Sequence, residues 1–170
     1  MTDHYFEVVN PMNEYNNIMR AGLWSGLLSY AAENAKKFEK FSLFDLSKVY
    51  LPSKEEGVPS SEERKLAILV YGEKNDEGLF ITKNYLDKFA EKFGFKFEYE
   101  NDYSKDVPYK HPGRSAIIKN GGNKVGRVTE IHPIVLENLD IKKRVWVGAL
   151  NIEELAVSAQ NIEQGFQEIP

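Results

Sequence analysis

Residues 115–131 read Ser-Ala-Ile-Ile-Lys-Asn-Gly-Gly-Asn-Lys-Val-Gly-Arg-Val-Thr-Glu-Ile. Two β-rich runs, 115–119 and 124–131, flank Asn120-Gly121-Gly122-Asn123. Adjacent glycines reach positive φ without steric cost, so the stretch predicts an antiparallel hairpin closed by a tight turn. The remaining elements are mixed in order, and the helices are unequal in length. Together these features predict an α+β fold, a mainly antiparallel sheet flanked by helices, rather than a doubly wound parallel one. No glycine-rich loop joins a strand to a helix, so the nucleotide-binding fingerprints are missing.

Working outward, residues 145–150 (Val-Trp-Val-Gly-Ala-Leu) and 66–71 (Leu-Ala-Ile-Leu-Val-Tyr) are short continuous apolar runs. Such runs suit strands covered on both faces. Residues 41–51 predict a further strand, ended by Pro52. Residues 6–9 and 95–99 predict two short ones. Trp24, Leu27, Leu28, Ala31, Ala35 and Phe38 recur at helical spacing over 23–38, with Lys36, Lys37 and Lys40 at the end where the helix dipole favours cations. Tyr85, Leu86, Phe89, Ala90 and Phe93 form the apolar face of a second helix, which Gly94 stops. Pro133 opens a third, short one, with His132 placed to cap it. Residues 53–65 are charged and carry Pro, Gly and Ser, which predicts a loop.

The chain has 170 residues, 42% hydrophobic and 28% charged, enough to close one core. It contains no cysteine, which excludes disulfides, thiol nucleophiles, Cys-ligated zinc and iron–sulfur clusters. The net charge is −4 and the isoelectric point about 5.5. Bulk electrostatics therefore do not draw the domain onto nucleic acid, whose binders carry basic faces. No apolar run is long enough to span a bilayer, and the N-terminus does not resemble a secretory signal, so a cytoplasmic location is expected.

Candidate chemistry is sparse. The three histidines, His4, His111 and His132, lack the spacing that places two imidazoles on one helix face. A zinc site would need the fold to gather His111, His132 and a carboxylate such as Glu130. The acidic pairs Glu55-Glu56, Glu62-Glu63 and Glu153-Glu154 read as solvated charges on loops or helix starts. No Gly-x-Ser-x-Gly is present. Of the five arginines, Arg20 stands just before the first helix, where it suits an ion pair or a ligand.

Four motifs in order carry a resemblance over nearly the whole chain. Residues 10–20, containing Asn10, Pro11, Met19 and Arg20 and leading to Gly26-Leu27-Leu28, resemble a signature of the bacterial phenylalanyl-tRNA synthetase β subunit. Phe44-Asp45-Leu46-Ser47-Lys48-Val49-Tyr50 resembles that family's next strand. His111-Pro112-Gly113-Arg114-Ser115-Ala116 and the stretch from Gly126 to Pro133, with Glu130 and His132, are similar to its two later motifs. Departures from the family pattern fall at Ala21-Gly22, Ser25, Asp45, Ser47 and Thr129.

The resemblance implies a class II synthetase-like core, a degenerate copy of a catalytic module, over residues 1–158. Residues 159–170 would form a linker to a C-terminal domain absent from the chain. It also implies a role in protein biosynthesis. The family is an aminoacyl-tRNA synthetase, a ligase in which an α subunit charges tRNA(Phe) with ATP and magnesium within an (αβ)₂ heterotetramer. This chain on its own is expected to be inactive, with no catalytic, cofactor or metal residue of its own. Activation needs fixed cations on the ATP phosphates. Residues 41–51 contain no Arg, and acidic residues follow 145–150. The expected role is structural, at a subunit interface, and an exposed apolar patch would let the isolated chain self-associate, with the first helix as the leading candidate. Three other readings stand beside it: a free-standing paralogue binding a small metabolite in the degenerate cleft, a metal-dependent enzyme using His111 and His132, and a direct tRNA binder.

Overall fold

The computed structural model describes residues 6–11, 17–53, 60–74, 76–104 and 106–160. His4, Glu55, Glu56, residues 12–16 of the first motif and residues 161–170 of the expected linker lie outside them. Six strands and four helices follow in the order α1 (Trp24–Asn34), β1 (Phe41–Leu51), β2 (Ser61–Tyr71), α2 (Glu77–Lys92), β3 (Phe97–Asn101), β4 (Lys110–Asn120), β5 (Asn123–Ile131), α3 (Pro133–Asn138), β6 (Val145–Asn151) and α4 (Ile152–Gln160). The strands form one sheet in the order β1-β2-β6-β5-β4-β3, and every neighbouring pair is antiparallel. The α+β class and the 115–131 hairpin stand as expected. Gly121 and Gly122 have φ of 57° and 81°, a backbone open to glycine at little cost.

Strand alternation splits the apolar residues between two faces. On one face α1 lays Leu27, Leu28 and Ala31 against Val49, Ala67, Leu69 and Val147. On the other, α2 and α4 bring Leu86 and Leu155 against Leu66, Val128 and Leu150. The close approach of α2 rests on two small residues. A Cβ at Gly78 would lie 2.2 Å from Trp146 Cδ1, and one at Gly148 would lie 2.8 Å from Leu86 Cδ1. The buried stripe of α2 is therefore Gly78, Thr82, Leu86 and Ala90. Tyr85 and Phe93, expected on it, are exposed.

Other expectations are corrected. α1 stops at Asn34, whose carbonyl accepts from both Lys37 and Phe38 and turns the chain out of the helix. Lys36 and Lys37 thus lie past the helix, and Phe38 is exposed. β2 begins at Ser61 within the expected loop, because its length is set by pairing along all of β1, from Leu51↔Ser61 to Phe41↔Tyr71. His111 lies within β4, at a register shift between Lys110 and Ser115. Residues 6–9 contribute a single bridge, Glu7↔Ile18. α4 was not expected: Asn151 Oδ1 accepts from the backbone N–H groups of Glu153 and Glu154 and starts it.

Candidate functional site

On the α1 face the sheet forms a cleft of about 530 Å³. Its floor is Ala67 of β2, Gly126 of β5 and Val147 and Ala149 of β6, all small or compact side chains. Gly126 is required there, since a Cβ would lie 2.2 Å from the Ala149 carbonyl oxygen. Trp24 and Tyr109 make one wall, their rings stacked at 4.0 Å and 24°. Lys65, Lys124, Arg127 and Glu154 stand around the rim. Burial pushes the Tyr109 phenol above its ordinary pKa.

Beside this cleft the polar stretch 101–110 hides an ionic network. The Asp102 side chain is 1% exposed and that of Lys110 2%. Asp102 Oδ1 accepts from Lys110 Nζ at 3.1 Å, Ser104 Oγ at 2.6 Å and Ser104 N at 3.0 Å, and Oδ2 accepts from Arg127 Nε at 2.6 Å. Arg127 Nη2 also reaches Asp106 Oδ2 at 2.8 Å. Burial alone raises the Asp102 carboxyl. The hydrogen bonds from Ser104 and Lys110, with the Arg127 charge, outweigh it and hold the group well below the usual carboxylate range. Two cations and two carboxylates close the network with no net charge.

A second network surrounds Glu130, whose side chain is 3% exposed. It accepts from Arg114 Nη1 at 3.1 Å and from Arg144 at 2.8 Å (Nε) and 2.5 Å (Nη2). Arg144 also reaches Asp76 at 3.2 Å. The rings of His111 and His132 lie 6.4 Å apart. His111 Nδ1 accepts from Gly113 N and His132 Nδ1 from Ile134 N, each at 3.2 Å. His132 therefore caps α3, as expected. In both rings Nδ1 is an acceptor, so the neutral tautomer carries its proton on Nε2. Coordination through Nε2 would require that proton on Nδ1, facing a backbone donor. Both Nδ1 atoms are thus engaged by backbone donors, and among the described residues no group of three His, Asp or Glu is arranged to hold a metal ion. Burial, with the Arg114, His132 and Arg144 charges, lowers the His111 pKa against the opposing pull of Glu130.

The residues singled out in the sequence thus fall into two groups. Asn10 and Pro11 lie exposed ahead of Met19, whose N–H donates to the Phe6 carbonyl. Arg20 lies against β1, with Nε donating to the Lys48 carbonyl at 2.8 Å and Nη1 3.6 Å from Asp45. His111, Pro112, Gly113, Ser115, Glu130, His132 and Pro133 gather where β4 begins and β5 ends, with Ser115 Oγ 2.5 Å from Thr129 Oγ1. Two strands, β2 and β6, separate the groups. Asp102 and Lys110 went unmarked in the sequence, because nothing in a polar loop distinguishes a buried carboxylate from a solvated one.

Every guanidinium can be accounted for. Arg20, Arg114, Arg127 and Arg144 each face a carboxylate. Arg64 alternates with the cleft residues Lys65 and Ala67, and so projects from the opposite face of β2. At the start of α4 the rim residue is Glu154.

The chain matches the family described as the phenylalanyl tRNA synthetase beta chain CLM domain over residues 2–152. It is 31% identical over 165 residues to a phenylalanine–tRNA ligase beta subunit of Clostridium tetani, covering 96% of this chain and 20% of that one. It is 30% identical over 169 residues to the corresponding subunit of Geobacillus kaustophilus, covering 94% and 21%. The chain thus spans about a fifth of the length of these relatives. Among solved structures it is similar in fold to PylSc, a pyrrolysyl tRNA synthetase of Desulfitobacterium hafniense, with a TM-score of 0.71 at 14% identity over 93% of this chain and 54% of that one.

Proposed function

The chain belongs to the phenylalanyl tRNA synthetase beta chain CLM domain family, and from that premise we propose that it is a non-catalytic assembly domain. In this reading it supports an α subunit, within an (αβ)₂ ligase, that charges tRNA(Phe) with ATP and magnesium. One observation carries the reading: no guanidinium is free to meet a triphosphate over the cleft. Four of the five arginines face carboxylates, the fifth lies on the far side of the sheet, and Glu154 holds the rim. Stabilising a pentavalent phosphorus centre needs preorganised cations, and freeing Arg127 would leave the buried Asp102 short of a partner. With no free guanidinium over the cleft, this reading assigns the chain no catalytic step.

The test is to mix the purified chain with the α subunit, and separately to assay ATP–pyrophosphate exchange by the chain alone. A stable complex and no exchange are expected. Exchange by the chain alone, abolished by Arg127→Ala, would overturn the reading.

The open cleft favours a second reading, a small molecule held between Trp24 and Lys124. It predicts saturable quenching of Trp24 fluorescence by a small-metabolite library, and flat titrations would remove it.

A further inference from the structure

β1 lies at the edge of the sheet, and half of that edge is already closed. Tyr50 N–H donates to the Arg20 carbonyl at 2.9 Å, and the Lys48 carbonyl accepts from Arg20 Nε at 2.8 Å. Even-numbered positions therefore point their backbone groups away from β2. By the two-residue alternation of an antiparallel strand, Ser42, Phe44 and Leu46 present N–H and C=O outward as well, and there no backbone partner meets them among the described residues. The same three side chains share one face. Phe44 is 76% exposed and Leu46 55%. The helices on that face, α2 and α4, pack on β2, β5 and β6 and leave β1 bare. β1 carries neither proline nor bulge, the usual protections of an exposed edge.

We infer that the free half of β1 pairs antiparallel with β1 of a second copy of this chain, about a two-fold axis at Phe44. The occupant follows from complementarity of the edge with itself. A two-fold there sets Ser42 opposite Leu46 of the second copy and Phe44 opposite Phe44, so each outward donor meets an outward acceptor and the two aromatic rings meet across the axis. Arg20 closes the edge from Lys48 onward, which limits the ribbon to a window symmetric about Phe44. At its ends Lys48 comes opposite Lys40, each already paired with its own carboxylate, Glu62 at 2.7 Å and Glu73 at 2.5 Å. This pairing rests on the strand edge alone and stands or falls apart from the assembly reading. It also moves the expected self-association surface from α1, whose Leu27, Leu28 and Ala31 are buried, to β1.

The absence of cysteine makes the test clean. Single variants Phe44→Cys and Leu46→Cys of the whole chain are oxidised at high-micromolar concentration and analysed by non-reducing electrophoresis. Phe44→Cys is expected to form a covalent dimer. Leu46→Cys alone is not, because its two copies sit apart in this register, but it is expected to cross-link when mixed with Ser42→Cys. In sedimentation equilibrium Phe44→Lys, which sets like charges across the axis, should weaken self-association at least about tenfold. All three sites are exposed, so circular dichroism and Tm should match the parent. A monomer at every concentration, equal cross-linking by Phe44→Cys and Leu46→Cys, or unchanged association of Phe44→Lys would each overturn the pairing.

Discussion

Replacing Asp102 by alanine removes the one carboxylate that faces both Lys110 and Arg127. The Lys110 ammonium, with its side chain 2% exposed, keeps only the Asp102 carbonyl at 3.0 Å and Ser104 Oγ at 3.2 Å. Arg127 keeps Asp106, which is half exposed. A buried cation left without its counter-charge costs about 3–5 kcal/mol. That is a large share of the roughly 5–15 kcal/mol that holds a domain folded. For a chain of this size it corresponds to a fall in Tm of about 6–20 °C. The assay is urea denaturation followed by circular dichroism, with the midpoint shifting and the slope unchanged. The same residue fixes a pH dependence. Its folded pKa lies below the unfolded value of about 3.9, so its contribution is complete above about pH 4 and is lost as pH falls through the folded value. Asp102→Ala should therefore flatten the acid limb of the stability profile. A loss under about 1 kcal/mol, the range of exposed ion pairs, or an unchanged acid limb, would show that Asp102 does not hold the two cations in place.

Gly78→Ala places a methyl against Trp146 and should cost about 1–3 kcal/mol in thermal denaturation; unchanged stability would show that α2 can move off the sheet. His132→Ala removes the cap of α3 and should cost about 0.5–2 kcal/mol, read as faster amide exchange at Ile134. His111 should titrate by NMR below the ordinary histidine value. Its folded form favours the neutral ring, so its contribution is full above about pH 6.5 and lost as pH falls through the lower folded pKa. A midpoint at or above 6.5 would contradict the described surroundings.

Local chemistry made much of the fold legible. Pro52 stops β1 where expected, Gly94 ends α2 with a φ of 76°, and the glycine pair turns β4 into β5. What escaped was set by partners distant in sequence. The polar half of β2 becomes strand because β1 offers it a complete ladder. The small stripe of α2 is chosen by Trp146 and Gly148 beneath it rather than by its own aromatics. α4 had one usable signal, Asn151 followed by two acids in the first helical turn, but nine residues are too few for a convincing apolar period. The cleft draws its floor from positions as far apart as Ala67, Gly126 and Ala149, and no local pattern in a single sequence records that meeting.

β6, the last of the described strands, lies third in the sheet, between β2 and β5. Lys65 waits for Asn151 and Gly126 for Leu150. During synthesis the β1–β2 ribbon and the β3–β4–β5 meander emerge as two half-sheets, each with an unsatisfied inner margin and an uncovered apolar face. Neither can be sealed until residues 145–151 have cleared the ribosome and slid between them. Such late, long-range closure slows folding and leaves nascent chains prone to sticking together. A nascent chain with both half-sheets emerged but residues 145–151 still held back would thus be the stickiest form of this polypeptide, the form on which a nascent-chain chaperone would act.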